Sequence, residues 1–160
     1  MAKSSAAEKF AEALLPLVRP IEEFLPDPAN ARIHSDRNID AIRASLRKFG
    51  QQKPIVVNAE GVVLAGNGAL RAATEEGWRQ IAVTTFEGSD AEQAAFSIAD
   101  NRTAELAVWD EVGLANSLQI LVDAGLSEIV GFTEPELSSI LGDWADPFAE
   151  AQPEGAGEFV

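Results

Sequence analysis

Between Ser35 and Gly50 the apolar residues Ile39, Ile42, Leu46 and Phe49 recur every three or four positions, which puts them on one face of a helix. Ser35 or Asp36 can cap its start, and Gly50 sits where a helix-ending glycine belongs. The periodicity then shortens. Lys53–Asn58 and Gly61–Gly66 are two β-branched runs joined by a glycine-containing turn, and they predict a hairpin. A helix follows from about Gly68 to Glu76, stopped by Gly77, and "RQIAVTTFEG" predicts another strand. Ser89 or Asp90 caps an alanine-rich helix expected to run through Ala99, and Asp110 caps one carrying Leu114, Leu118, Leu121 and Val122 up to Gly125. Thr133-Glu-Pro-Glu136 is a capping box that launches a last helix to Leu141. Nearer the start, Ile21–Phe24 reads as a short strand ended by Pro26 and Pro28.

The resulting order is strand, helix, two strands, helix, strand, then helices alone. That predicts an α+β fold, a small mixed sheet flanked by helices, with an all-helical C-terminal extension. Residues 1–15 are expected to be a lead-in, either a frayed amphipathic helix or loose chain. The domain proper is expected at 16–141, with its core at 16–105 and the extension at 106–141. Residues 142–160, acidic and rich in Pro, Gly and Ala, are expected to be a disordered tail.

Charge sharpens this division. Through Arg102 the chain holds all 12 of its Lys and Arg against 14 Asp and Glu; from residue 103 onward it has 12 acids and no Lys or Arg. Phosphate neutralisation on DNA needs clustered positive charge, which the last third lacks. Arg32, Arg37, Arg43, Arg47 and Lys48 offer a local patch or the solvated face of a helix. Without cysteine, disulfides, thiolate metal sites and cysteine nucleophiles are excluded. The apolar runs are too short for a bilayer, and Glu8, Lys9 and Glu12 interrupt any signal-peptide core, so a cytoplasmic protein without membrane contact is expected.

Three stretches carry chemistry. Gly66-Asn67-Gly68 opens a helix, where unpaired amides and the positive dipole end attract phosphate, and Arg71 lies one turn on. The same turn also suits a plain strand-to-helix connection. Asp100, Asn101 and Arg102 fall where the alanine-rich helix is expected to end; their oxygens suit Mg²⁺ and the guanidinium suits phosphate, with Glu105 a further carboxylate. A helix C-cap with Asn101 in the left-handed region accounts for that trio equally well. His34 is the sole histidine, so a pair of histidines on a metal is excluded, and with Asp36 nearby it is either a general base or a structural loop residue.

Taken in order, "NARIHSDRNIDAIRASLRKFGQQKPIVVN", "GVVLAGNGALRAATEEGW" and "AFSIADNRTAELAVWDEVGLANSL" resemble the ParB/sulfiredoxin superfamily in its ParB-like N-terminal domain, over about 21–141. The "WDEVGLANSL" and "GFTEPELSSIL" ending resembles the branch found in phage and mobile elements, alone or joined to DNA methyltransferases. The resemblance implies an α+β fold whose glycine-led turn binds a nucleoside triphosphate, CTP with Mg²⁺ in partitioning proteins and an adenine nucleotide in other branches. The family turn G-E-R-R-x-R-A-A is matched at Gly66, Arg71, Ala72 and Ala73, whereas Asn67, Gly68 and Ala69 replace its acid and two arginines. The E-N-x-Q-R signature corresponds to Asp100-Asn101-Arg102, which would put Mg²⁺ on Asn101 and Asp100 and a phosphate on Arg102. Pro54 matches the Q-P-I whose surroundings line the base pocket.

The function so implied is a nucleotide-binding, Mg²⁺-dependent switch or accessory domain in bacterial or phage DNA metabolism. Its phosphates would lie on Gly66, Asn67, Gly68, Arg71 and Arg102. Expected partners are the nucleotide, a DNA-modifying or DNA-segregating protein and a second copy of the chain; sequence-specific DNA reading by this chain alone is not expected. One alternative is a phosphotransferase, NTPase or nuclease at the same site, with Asp100, Glu105 or His34 as base. Another is a binding-only adaptor or DNA mimic working through the acidic last third.

Overall fold

The computed structural model describes residues 9–144; residues 1–8 of the expected lead-in and 145–160 of the expected tail lie outside the described residues. The described residues divide into two compact units, 9–108 with Ile129–Gly131, and Trp109–Glu128 with 132–144.

The first unit is built on a four-stranded mixed sheet. Its strands are β1 (Val18–Pro20), β2 (Ile55–Val57), β3 (Val63–Ala65) and β4 (Gln80–Thr85), in the order β1-β4-β2-β3. β1 and β4 run antiparallel with Val18 opposite Ala82, β2 and β4 run parallel with Ile55 opposite Val83, and β2 and β3 form the predicted antiparallel hairpin. Among the described residues a 3₁₀ helix (Glu12–Leu17) and three α-helices accompany the sheet: α1 (Asp36–Phe49), α2 (Asn67–Glu75) and α3 (Asp90–Leu106). Ser35 caps α1 through a bond from Asn38 N, and Gly50 ends it at φ 69°. Ser89 and Glu92 form a reciprocal capping box on α3.

Two elements depart from expectation. Ile21–Glu23 is a 3₁₀ turn and not a strand; the ladder to β4 is made earlier, at Val18–Pro20. Ile21 N still donates to Arg79 O at 2.9 Å, so the pairing with β4 runs one bond into the turn. Beyond the turn, Leu25 N donates to Gly61 O at 3.0 Å and Leu25 O accepts from Val63 N at 2.9 Å. The second departure is the length of α3, which continues past Ala99 to Leu106. No Gly or Pro lies within it, and its polar residues are absorbed one turn back, Asn101 Nδ2 donating to Ser97 O and Thr103 Oγ1 to Ala99 O. Asp100, Asn101, Arg102 and Glu105 therefore sit inside a helix, and Asn101 does not take a left-handed C-cap conformation.

The core gathers Phe24, Ile55, Val57, Val63, Leu70, Trp78, Ile81 and Val83 with Phe10 and Leu14, two residues of the expected lead-in. Phe10 meets Trp78 edge to face at 5.4 Å between ring centres. Gln51, buried among them, takes the place of a strand neighbour for Ala82: its Nε2 donates to Ala82 O at 3.0 Å and its Oε1 accepts from Ala82 N at 2.8 Å. Burial without such bonds would cost about 1–3 kcal/mol per group.

The second unit holds α4 (Glu111–Asp123) and α5 (Glu134–Trp144). Ala115 and Leu118 of α4 and Leu137 of α5 are buried. Thr133 and Glu136 make the predicted capping box, with Thr133 N donating to Glu136 Oε2 at 2.6 Å and Glu136 N to Thr133 Oγ1 at 3.3 Å. Residues 142–144, expected in the tail, extend α5. Among the described residues no helix is long and apolar enough to cross a membrane.

Candidate functional site

The glycines of Gly66-Asn67-Gly68 are demanded first by the fold. Gly66 lies at φ 99°, and a Cβ there would stand 2.6 Å from Cγ2 of Ile55. A Cβ on Gly68 would stand 2.8 Å from Cε1 of His34 and 2.9 Å from Cδ1 of Ile42. The Asn67 side chain is likewise committed, its Oδ1 accepting from Asp27 N and its Nδ2 donating to Val63 O, both at 3.0 Å. What the turn leaves open is the helix end itself: α2 has no side-chain cap, so the positive end of its dipole is not closed off by its own side chains.

That end opens on a groove of about 280 Å³, walled by Leu64–Ala69 on one side, Asp100 and Asn101 of α3 on another, and Asn30, Arg32, His34 and Ile42 on the third. Two stretches separated by more than thirty residues thus meet. Asn101 Nδ2 is held by Ser97 O, which leaves Oδ1 as its acceptor, and Asp100 makes no ion pair among the described residues. An adjoining hollow of about 180 Å³ shares Arg32 and Asn101 and adds Ser97, Arg102 and Glu105. There Arg32 pairs with Glu105, which also accepts from Arg102 Nη1 at 3.3 Å.

Other expected site residues lie elsewhere. Arg71 is held by Glu75 Oε1 at 2.9 Å, Asp36 Oδ1 at 3.1 Å and His34 O at 3.4 Å, and the bonds to Glu75 and Asp36 raise its pKa further. It lines a different hollow, of about 550 Å³, beside Ile21, Phe24 and Pro26. Pro54 is half-buried just before β2 and is not among the residues walling the groove. Of the candidate bases, His34 and Asp100 reach the groove, while Glu105 is occupied by its arginines. The residue that sequence reasoning did not place here is Arg32, read as part of a surface patch; its position in the "NARIH" string was the available signal.

Among the described residues no three His, Asp or Glu side chains are arranged to hold a metal ion on their own. Magnesium asks for less: one or two protein oxygens, with phosphates and water completing the octahedron. Asn101 Oδ1 and the Asp100 carboxylate, adjacent on α3 and both at the groove, fit that donor set.

Comparison with known proteins sets the site in context. No family model matches the chain. Over 82 residues it is 30% identical to the ParB-like nuclease domain-containing protein YnaK of Escherichia coli, covering 51% of this chain and 94% of that protein. Over 127 residues it is 30% identical to a nucleoid occlusion protein of Halalkalibacterium halodurans, covering 77% of this chain but 42% of the relative. The C-terminally truncated chromosome-partitioning protein ParB of Caulobacter crescentus, solved with CTP-gamma-S, shares the fold, with a TM-score of 0.65 at 20% identity over 78% of this chain and 75% of that one.

Proposed function

The chain belongs to the ParB-like domain family, and on that premise we propose that it is a nucleotide-binding switch or accessory domain acting in bacterial or phage DNA metabolism. The observation that supports this reading is the convergence of the uncapped α2 N-terminus with Asp100 and Asn101 across one groove. A solved ParB that holds a CTP analogue on the same fold makes a nucleoside triphosphate the first ligand to try.

In this reading the backbone amides at Asn67–Ala69 and the dipole end of α2 receive the phosphates. Asn101 and Asp100 hold Mg²⁺, which offsets the phosphate charge that Asp100 would otherwise repel. Arg32 completes the cradle by turning from Glu105 to a phosphate. The pair it leaves is roughly half exposed on both sides, so breaking it costs at most about 1 kcal/mol. Arg71 serves instead to tie the His34–Asp36 segment to α2. The nucleotide then works as a bound signal read by a partner protein that segregates or modifies DNA.

Calorimetric titration with CTP, ATP and GTP in the presence of Mg²⁺ tests the proposal, on wild type and on Arg32→Ala and Asn101→Ala. Binding of one nucleotide, weakened in both variants, supports the groove; no heat with any of the three overturns it. Steady phosphate release under saturating nucleotide would move the assignment from switch to enzyme, with His34 and Asp100 as the bases within reach.

A further inference from the structure

Arg102 lies in the adjoining hollow of about 180 Å³ and is not among the residues walling the groove. Arg32 and Asn101 wall both spaces, so the two meet at these side chains. One carboxylate holds the cationic groups of the hollow. Glu105 Oε1 accepts from Arg32 Nη1, and its Oε2 accepts from Arg102 Nη1 at 3.3 Å. Arg32 comes from the segment before α1 and Arg102 from α3, and Glu105 bridges them. Guanidinium takes carboxylate and phosphate in the same way, through oxygens that accept its N–H groups, so a bridging carboxylate marks a place that suits a phosphate. The side chains of Arg32, Arg102 and Glu105 keep 43%, 62% and 45% of their exposure. Ion pairs this open to water are weak, and an anion of higher charge can replace the carboxylate.

Resting on the nucleotide reading above, we propose that Arg32 and Arg102 form a terminal-phosphate subsite, which Glu105 occupies in the free protein and leaves when the nucleotide is seated. The assignment to the terminal phosphate follows from charge. The amides of α2 and the Asn101–Asp100 pair serve the groove, and the hollow that shares Asn101 adds two guanidiniums. A terminal phosphate carries more charge and more acceptor oxygens than one carboxylate, so it is the part of the ligand best able to take both arginines from Glu105. Glu105 then limits how tightly the chain holds its nucleotide, because two ion pairs must break before the arginines gain a phosphate. In this role it competes for the arginines and transfers no proton, unlike a general base.

The test is calorimetry of Mg-CTP and Mg-ATP binding to wild type, Glu105→Gln, Arg102→Ala and the double variant, at one pH and ionic strength. Glu105→Gln keeps the size of the side chain and removes its charge. It should bind about three- to tenfold more tightly than wild type, since two weak exposed pairs no longer oppose the ligand. Arg102→Ala should weaken binding by about fivefold, its exposure screening part of the charge-assisted bond. In the Arg102→Ala background the gain from Glu105→Gln should fall to about half or less, because one of the pairs it relieves is already gone. Unchanged or weaker binding in folded Glu105→Gln overturns the role of Glu105. An equal gain with and without Arg102 overturns it too, because that is plain repulsion between the carboxylate and the ligand. Absence of binding in both folded wild type and folded Glu105→Gln overturns the groove reading, and this one with it.

Discussion

The two ends of α2 treat charge in opposite ways. At its C-terminal end Glu76 accepts from Arg47 Nε at 2.9 Å and from Arg43 Nε at 2.7 Å, which clamps α1 to α2. Those two guanidinium bonds, Arg47 first, hold the Glu76 carboxyl below the usual carboxylate range, and the same contact raises Arg43. At its N-terminal end nothing comparable closes the helix: glycines fill the turn, no side chain caps it, and the nearest carboxylate in the groove, Asp100, has no ion-pair partner among the described residues. Charge at one end holds two helices together, and at the other the Asp100 carboxylate makes no ion pair among the described residues. Helix ends whose polar groups are satisfied within the chain have little left to offer an anion.

The largest effect is expected from breaking the open end by sterics. Gly66→Val would force a branched side chain into φ 99° and onto Ile55, and should destabilise the protein by about 3 kcal/mol, read from chemical denaturation. Next, Arg32→Ala should weaken nucleotide binding by about tenfold with little change in stability, because the bond lost is a charge-assisted one to phosphate while the pair broken in the free protein is exposed. The same titration on Glu76→Gln should show unchanged affinity. Equal losses in the two variants would erase the contrast between the ends.

The closed end is sharpened by pH. A carboxyl whose folded value is depressed contributes stability that is complete above its ordinary value of 4.5 and disappears as pH falls through the depressed one. Glu76→Gln should therefore melt about 2–4 °C below wild type at pH 6, and the gap should narrow as pH falls below the ordinary carboxylate range, as followed by thermal unfolding at each pH.

Neither end of α2 was legible as such, since Arg43 and Arg47 read as a patch or a solvated face, but the elements around it were. Ile39, Ile42, Leu46, Ser35 and Gly50 announce α1 through spacing and caps, and the β-branched runs with Gly61 between them announce the hairpin. These are local signals, and local physics decides them. What local signals could not supply was set by distant partners. β1 takes its register from β4, about sixty residues away, and Phe10 and Leu14 are drawn into a core that reaches Trp78. At the site, the glycines and the Asp100-Asn101 pair were visible as chemistry, but their meeting depends on α3 running straight through a polar trio that reads as a terminus. Asn67 offers the same lesson in reverse, since an amide suited to phosphate is occupied by Asp27 N, forty residues earlier.

The smallest effect expected is at Arg71, and it is the most discriminating. The family turn G-E-R-R-x-R would make this arginine a phosphate ligand, whereas here its three bonds go to Glu75, Asp36 and the carbonyl of His34. It meets the groove wall only through the carbonyl of His34, as a brace on the 34–36 segment. Arg71→Ala should accordingly reduce nucleotide affinity by less than about threefold, and Arg71→Lys, which keeps the positive charge, should restore most of that. A direct ligand behaves otherwise: each charge-assisted bond to phosphate is worth about 1.5–3 kcal/mol, and its loss would cost tenfold or more. Calorimetry on the two Arg71 variants beside Arg32→Ala ranks the three. If Arg71→Ala outweighs Arg32→Ala, the phosphates lie on the Arg71 side of α2 and the groove with Asn101 is not where they bind.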